Sequence, residues 1–244
     1  MSFDIMKRER IARLVDNGFL DEAIDGIHLE IEEDPDNGEL FELLGLTFHL
    51  NNDVQNAIRA LEAASILGPL ETNSQMALAE CYVSKHFYES ACAIYDFLIS
   101  RVSTPEECLP DIAKGYSRMR KHYRALETCR ISVERNPDCD KALFGMAFYK
   151  ARCGHSLSSV VSILERAISL DPHSIDYRVV AASLCLQRDQ RNSAARILEP
   201  ITRQDLDACD CSDCIRRLVG IASCLEMTEL VNICQARLSA ERIQ

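Results

Sequence analysis

Tryptophan is absent from this chain, and only nine glycines and seven prolines are spread over its 244 residues. So little Gly and Pro excludes collagen-like and low-complexity material and disfavours an all-β protein with its many tight turns. No apolar run approaches the ~18 residues of a membrane span; the longest, Val179 to Leu186, is short and contains Ser183. The opening MSFDIMKRERIARLVDNG carries charges every few residues and lacks the apolar core of a secretory signal, so a cytoplasmic protein is expected. Also missing are Gly-x-Gly-x-x-Gly, a phosphate-binding loop ending in Gly-Lys-Ser/Thr, His-Glu-x-x-His and Gly-x-Ser-x-Gly. The six histidines are scattered, and none is paired with a nucleophile at a motif spacing. The chain therefore reads as non-catalytic and free of cofactors.

What is present begins with charge. Lys and Arg number 27 against 38 Asp and Glu, giving a net charge of -11 and a pI near 5.1, which excludes a general nucleic-acid binder because phosphate neutralisation needs a dense cationic face. The imbalance is local. Residues 1–71 hold 16 acids and 5 bases, whereas residues 114–152 hold ten bases and four acids. Such segregation suits charged partners meeting different parts of an elongated body, or ordinary solvated helix faces. Cysteine is abundant, twelve in all and every one after residue 80; in a chain of this length without a secretory signal these read as reduced thiols.

Self-similarity decides the architecture. Ala23, Ala57, Ala91 and Ala125 are each 34 residues apart, and Val160 and Ala194 continue after one step of 35. Gly45, Ala79, Ala113 and Ala147 form a second ladder of 34, with Ala182 following at 35. Because both ladders absorb one extra residue, the insertion lies between Ala147 and Val160, near Cys153-Gly154. Within residues 38–71 the pattern is Phe41-x-x-Leu44-Gly45-x-x-Phe48, then Ala57-x-x-x-Leu61-x-x-Ala64, then Pro69. Spacings of three and four put these side chains on one face of two successive helices, broken apart at Asn51-Asn52-Asp53. One such hairpin cannot bury its apolar face, so the units must stack.

In these residues the chain resembles the tetratricopeptide repeat family, with Phe41 standing where the family often has Trp. The later units keep Leu78-Ala79, Tyr82 and Ala91; Ile112-Ala113, Tyr116, Ala125 and Pro137; Met146-Ala147, Val160 and Pro172; and Ala181-Ala182 and Ala194. Departures are Ser103 for a proline, and Lys150 and Cys185 for an aromatic. The resemblance implies an all-α, right-handed superhelical solenoid of about fourteen helices. Six repeats are expected at approximately 4–37, 38–71, 72–105, 106–139, 140–174 and 175–205, with 206–244 a degenerate capping hairpin whose Arg216, Arg217, Arg237 and Arg242 face solvent. Pentatricopeptide and Sel1-like repeats fit less well, the first by charge and grammar, the second by length and glycine content.

The resemblance also implies a protein-protein interaction scaffold or adaptor, in which first helices line a concave groove that takes a peptide or helix of another protein. Early groove positions are Ala12, Val15, Leu43, Leu46, His49 and Met76, rimmed by Glu39, Glu42 and Glu80; the later ones are Lys114, Arg118, Lys141, Phe144, Phe148, Arg152 and Val179. Of these, Lys114, Arg118, Lys141, Phe144, Phe148 and Arg152 are the candidate partner-binding residues: an aromatic floor with cationic sides for a hydrophobic anchor and acidic groups. Phe144 and Phe148 share one helical face and either floor the groove or pack between hairpins. The Lys-Asn-Arg clamp with which some family members hold a chaperone tail is not evident, since Glu42, Leu46, Met76 and Glu80 fall at its positions. Two alternatives are a homo-oligomer joining acidic and basic surfaces, and a zinc-linked regulatory module. The second would use Cys209, Cys211 and Cys214, a Cys-x-Cys-x-x-Cys run that supplies three thiolates of the four ligands of structural zinc. A fourth ligand would come from Cys224, Cys234 or Asp213, and a redox-sensitive pair is the other functional option; because this chain uses cysteine freely as a small core residue, unremarkable thiols are the expected reading and no metal is assigned.

Overall fold

In the computed structural model, residues 2–241 are described, and Arg242 lies outside them. Every element among them is a helix, and none is long and apolar enough to cross a membrane. The chain divides into two compact units, one ending at Lys121 and one beginning at His122. The first holds α1 (Ser2–Asp16), α2 (Leu20–Glu33), α3 (Gly38–Leu50), α4 (Val54–Leu67), α5 (Thr72–Ser84), α6 (Tyr88–Ser100) and α7 (Cys108–Arg118). The second holds α8 (His122–Arg135), α9 (Asp140–Arg152), α10 (Leu157–Leu170), α11 (Ile175–Gln187), α12 (Arg191–Leu198), α13 (Arg203–Asp207), α14 (Ser212–Cys224) and α15 (Thr228–Glu241). The periodicity does not anticipate α13. That single turn starts at a capping box in which the Thr202 hydroxyl accepts from the Asp205 N–H while the Asp205 carboxylate accepts from the Thr202 N–H.

Both ladders are buried. Ala23, Ala57, Ala91, Ala125, Val160 and Ala194 have no exposed surface, nor do Ala79, Ala113, Ala147 and Ala182. At Gly45 a Cβ would stand 2.5 Å from Cγ of Leu61 and 3.2 Å from its backbone nitrogen, so the missing side chain is what lets α4 lie against α3. Gly115 plays the same part for the buried Tyr95 ring, whose Cε2 would be 2.6 Å from an added Cβ.

Larger apolar residues join one hairpin to the next. Ala57, Ile58 and Leu61 pack with Ala77, Leu78 and Cys81; in the second unit Ala147, Val160 and Leu164 pack with Ala181 and Leu184. Each fully buried Leu is worth about 1.5–3 kcal/mol. Polar pairs follow the same period: the Tyr82 hydroxyl donates to Glu62 at 2.7 Å, and the Tyr116 hydroxyl to Asp96 at 2.5 Å. One repeat later the positions hold Lys150 and Arg130, so the tyrosine and its acid are lost together.

The hairpin turns share one geometry. Gly18, Asn52, His86, Arg120, Gly154, Asp189 and Glu226 all have φ between 58° and 79°. The residue after each donates its N–H back to the carbonyl five positions earlier, as in Asp53 to Phe48 and Phe87 to Tyr82, which closes a Schellman cap. The first five left-handed residues are 34 apart and the next is 35 on. Six of the seven stand two residues before the following helix, whereas Gly154 stands three before Leu157. The surplus residue therefore sits at His155-Ser156, within the interval the two ladders allow.

Candidate functional site

Four of the six candidate residues lie on α9 in the second unit. Lys141, Phe148 and Arg152 are spaced by seven and four and share one helical face. The Arg152 guanidinium lies 5.2 Å from the centre of the half-exposed Phe148 ring, which also meets Tyr149 edge-on at 5.3 Å. Lys141 is exposed in the first turn. Phe144 is committed elsewhere: it stacks on Tyr177 of α11 at 4.6 Å and packs against buried Leu143 and Ala167. The other two candidates belong to the first unit. There Lys114 pairs with Asp111 at 2.8 Å and Arg118 donates to the Ser84 hydroxyl at 3.1 Å, both on exposed surface.

Several earlier groove positions are structural. Met76 and Val179 are buried rather than turned to a groove; Val179 packs with Ile215 and Leu218 of α14. Glu42 accepts from the Glu71 N–H and the Ser74 hydroxyl, each at 3.0 Å, and so holds the start of α5. Nδ1 of His49 lies 3.4 Å from the Cys81 sulfur and Nε2 lies 3.3 Å from a Glu80 oxygen, linking α3 to α5. First the sulfur and then the carboxylate, against the opposing effect of burial, raise the imidazole pKa to about 10. A cleft of about 500 Å³ opens beside α1, α2 and α3 and is lined by none of the candidates; Lys7 within it is held by Glu30 and Glu33. At the far end Arg216 pairs with Asp213, and Arg237 is half-buried with Nε 3.9 Å from Asp207 of α13 rather than fully solvated.

All twelve cysteines are free. Cys129 and Cys185 are core residues, and burial pushes both thiols up, Cys129 to about 12. The Cys209-Cys211-Cys214 run is not gathered as one set. The Cys209 sulfur sits 3.8 Å from the Cys211 carbonyl and packs against the core, while Cys211 and Cys214 converge with Asp176 of α11. Local spacing could not have pointed to Asp176, which is 35 residues before Cys211.

No protein-family profile matches the chain, and no curated protein does. Solved structures do match. A tetratricopeptide repeat protein from Parabacteroides merdae is 17% identical, with a TM-score of 0.67 over 94% of this chain and 98% of its own. The fold is that of tetratricopeptide repeat proteins. The C-terminal part of a tetratricopeptide repeat-containing protein from Cytophaga hutchinsonii agrees, at 9% identity and TM-score 0.67 over 95% and 94% of the two chains. YrrB, described as a tetratricopeptide repeat protein with an unusual peptide-binding site, is 17% identical with a TM-score of 0.55 over 71% of this chain and 89% of its own. At such identities the likeness is one of fold. The tetratricopeptide architecture accounts for the two ladders; the arginine over Phe148 and the Asp176 cluster are features of this sequence.

Proposed function

We propose that the chain is a non-catalytic interaction scaffold that holds a peptide or helix of another protein. The observation that carries this reading is Phe148, half-exposed beneath Arg152, with exposed Lys141 on the same face of α9. An aromatic ring with a guanidinium over one face offers an apolar contact with a cation beside it, which suits a partner segment pairing a hydrophobic anchor with acidic groups. Lys114 and Arg118 offer cationic contacts of their own in the first unit. Phe144, half-buried like Phe148, stacks on Tyr177 and is the weaker candidate for such a contact.

The test is comparative capture from the native host, read by mass spectrometry. Phe148→Ala with Arg152→Glu should deplete the partners recovered by the parent chain at least tenfold, an order set by losing an aromatic anchor and a charge together. Far-UV circular dichroism should be unchanged. Lys114→Glu with Arg118→Glu assays the first unit separately. Equal recovery from both variants and the parent would refute these contacts.

A further inference from the structure

Outside the proposed binding face, one group of side chains brings two thiols and a carboxylate together. Asp176 is in the first turn of α11; Cys211 is the N-cap of α14, and its sulfur accepts from the Cys214 N–H at 3.4 Å. One carboxylate oxygen of Asp176 and the two sulfurs all lie within 4.8 Å of one another. Asp176 is half-buried; its carboxylate is a hydrogen-bond partner of the Cys214 thiol, and its Oδ1 atom has no hydrogen-bond partner of its own. The nearby arginines are committed elsewhere: Arg216 to Asp213, Arg178 to the carbonyls of Pro172 and Ile197.

We propose that Asp176, Cys211 and Cys214 form a zinc site tying the start of α14 to the start of α11. Two thiolates and one carboxylate are ligands suited to a borderline-soft dication, and three protein ligands leave the fourth tetrahedral position to water. Atoms bound to one zinc at about 2.0–2.3 Å stand roughly 3.5 Å apart, so small side-chain adjustments close the set. Cys211 is exposed and gives an ion its entry path.

The full chain, purified under reducing conditions without a chelating tag and given Zn²⁺ alone, should hold about one zinc per chain by elemental analysis. Substituted with Co²⁺, it should show sulfur-to-metal charge-transfer absorption. Cys211→Ser and Cys214→Ser should each abolish that absorption, and Asp176→Asn should weaken zinc affinity by at least about tenfold. Cys224→Ser, which alters an exposed thiol at the other end of α14, and Cys209→Ser should leave both readouts unchanged. Circular dichroism of each variant separates lost binding from lost folding. A folded parent with near-zero zinc overturns the site, as does a Cys211–Cys214 disulfide forming in its place. Loss of zinc in Cys209→Ser with retention in Asp176→Asn overturns the ligand set. None of these variants touches α9, so failure here is distinguishable from failure of the binding face.

Discussion

His49 is a residue whose surroundings change its chemistry. The Cys81 sulfur and the Glu80 carboxylate favour its charged form, and a pKa raised from 6.5 to about 10 means that the folded state binds a proton more tightly than the unfolded chain does. The resulting stabilisation is complete below pH 6.5, declines above it and is gone once the pH has risen through about 10. Urea unfolding at a series of pH values is the check: the stability gap between the parent and His49→Gln should narrow between pH 6.5 and 10. A gap that stays constant would mean that His49 acts by packing alone. At this scale the sequence was partly misleading. Its helical position marks His49 as a groove residue, but nothing local reveals that Glu80 and Cys81, one repeat away, would claim both ring nitrogens.

At the scale of the element, the hairpin is set by how closely its helices approach, and Gly45 sets that distance for α3 and α4. Gly45→Ala should cost about 1–3 kcal/mol by overpacking against Leu61, although alanine is the better helix former by up to about 1 kcal/mol. Gly220 on α14 is the internal control, because an added Cβ there meets nothing within 4 Å, and Gly220→Ala should stabilise. Chemical denaturation of the two variants should move in opposite directions; a stabilising Gly45→Ala would refute the close-approach account. The paired ladders were legible because burial at a fixed helical phase demands small residues at a fixed interval. The turns at Asn51-Asn52-Asp53 and Cys153-Gly154 were legible as well, but not those at His86, Arg120, Asp189 and Glu226, whose left-handed conformation residue type does not announce as it does for Gly18, Gly154 and Asn52. Nor was α13, one turn long and too short for any periodicity.

Across the whole molecule, packing runs between sequence neighbours within each unit, as in the cluster of Leu143, Ala167 and Tyr177 that links α9, α10 and α11. Stability in such a stack is a sum of neighbouring terms, so damage should stay local. Leu143→Ala, at a typical cost of 2–5 kcal/mol, should speed amide hydrogen exchange through α8 to α11 and leave α2 to α6 of the other unit near parental rates, as read by mass spectrometry. Uniform deprotection would instead indicate a single cooperative core. The candidate residues on α9 were legible as a helical face, whereas the stacking of Phe144 depended on Tyr177, a neighbour from the following hairpin.

The turn after Gly154 already carries one amino acid more than its counterparts, without disturbing the helices on either side. Lengthening such a connection further is inexpensive, on the order of 0.6 kcal/mol for each doubling. An epitope or fluorophore grafted between His155 and Ser156 would thus report on the protein in a cell while the shorter corners keep the register.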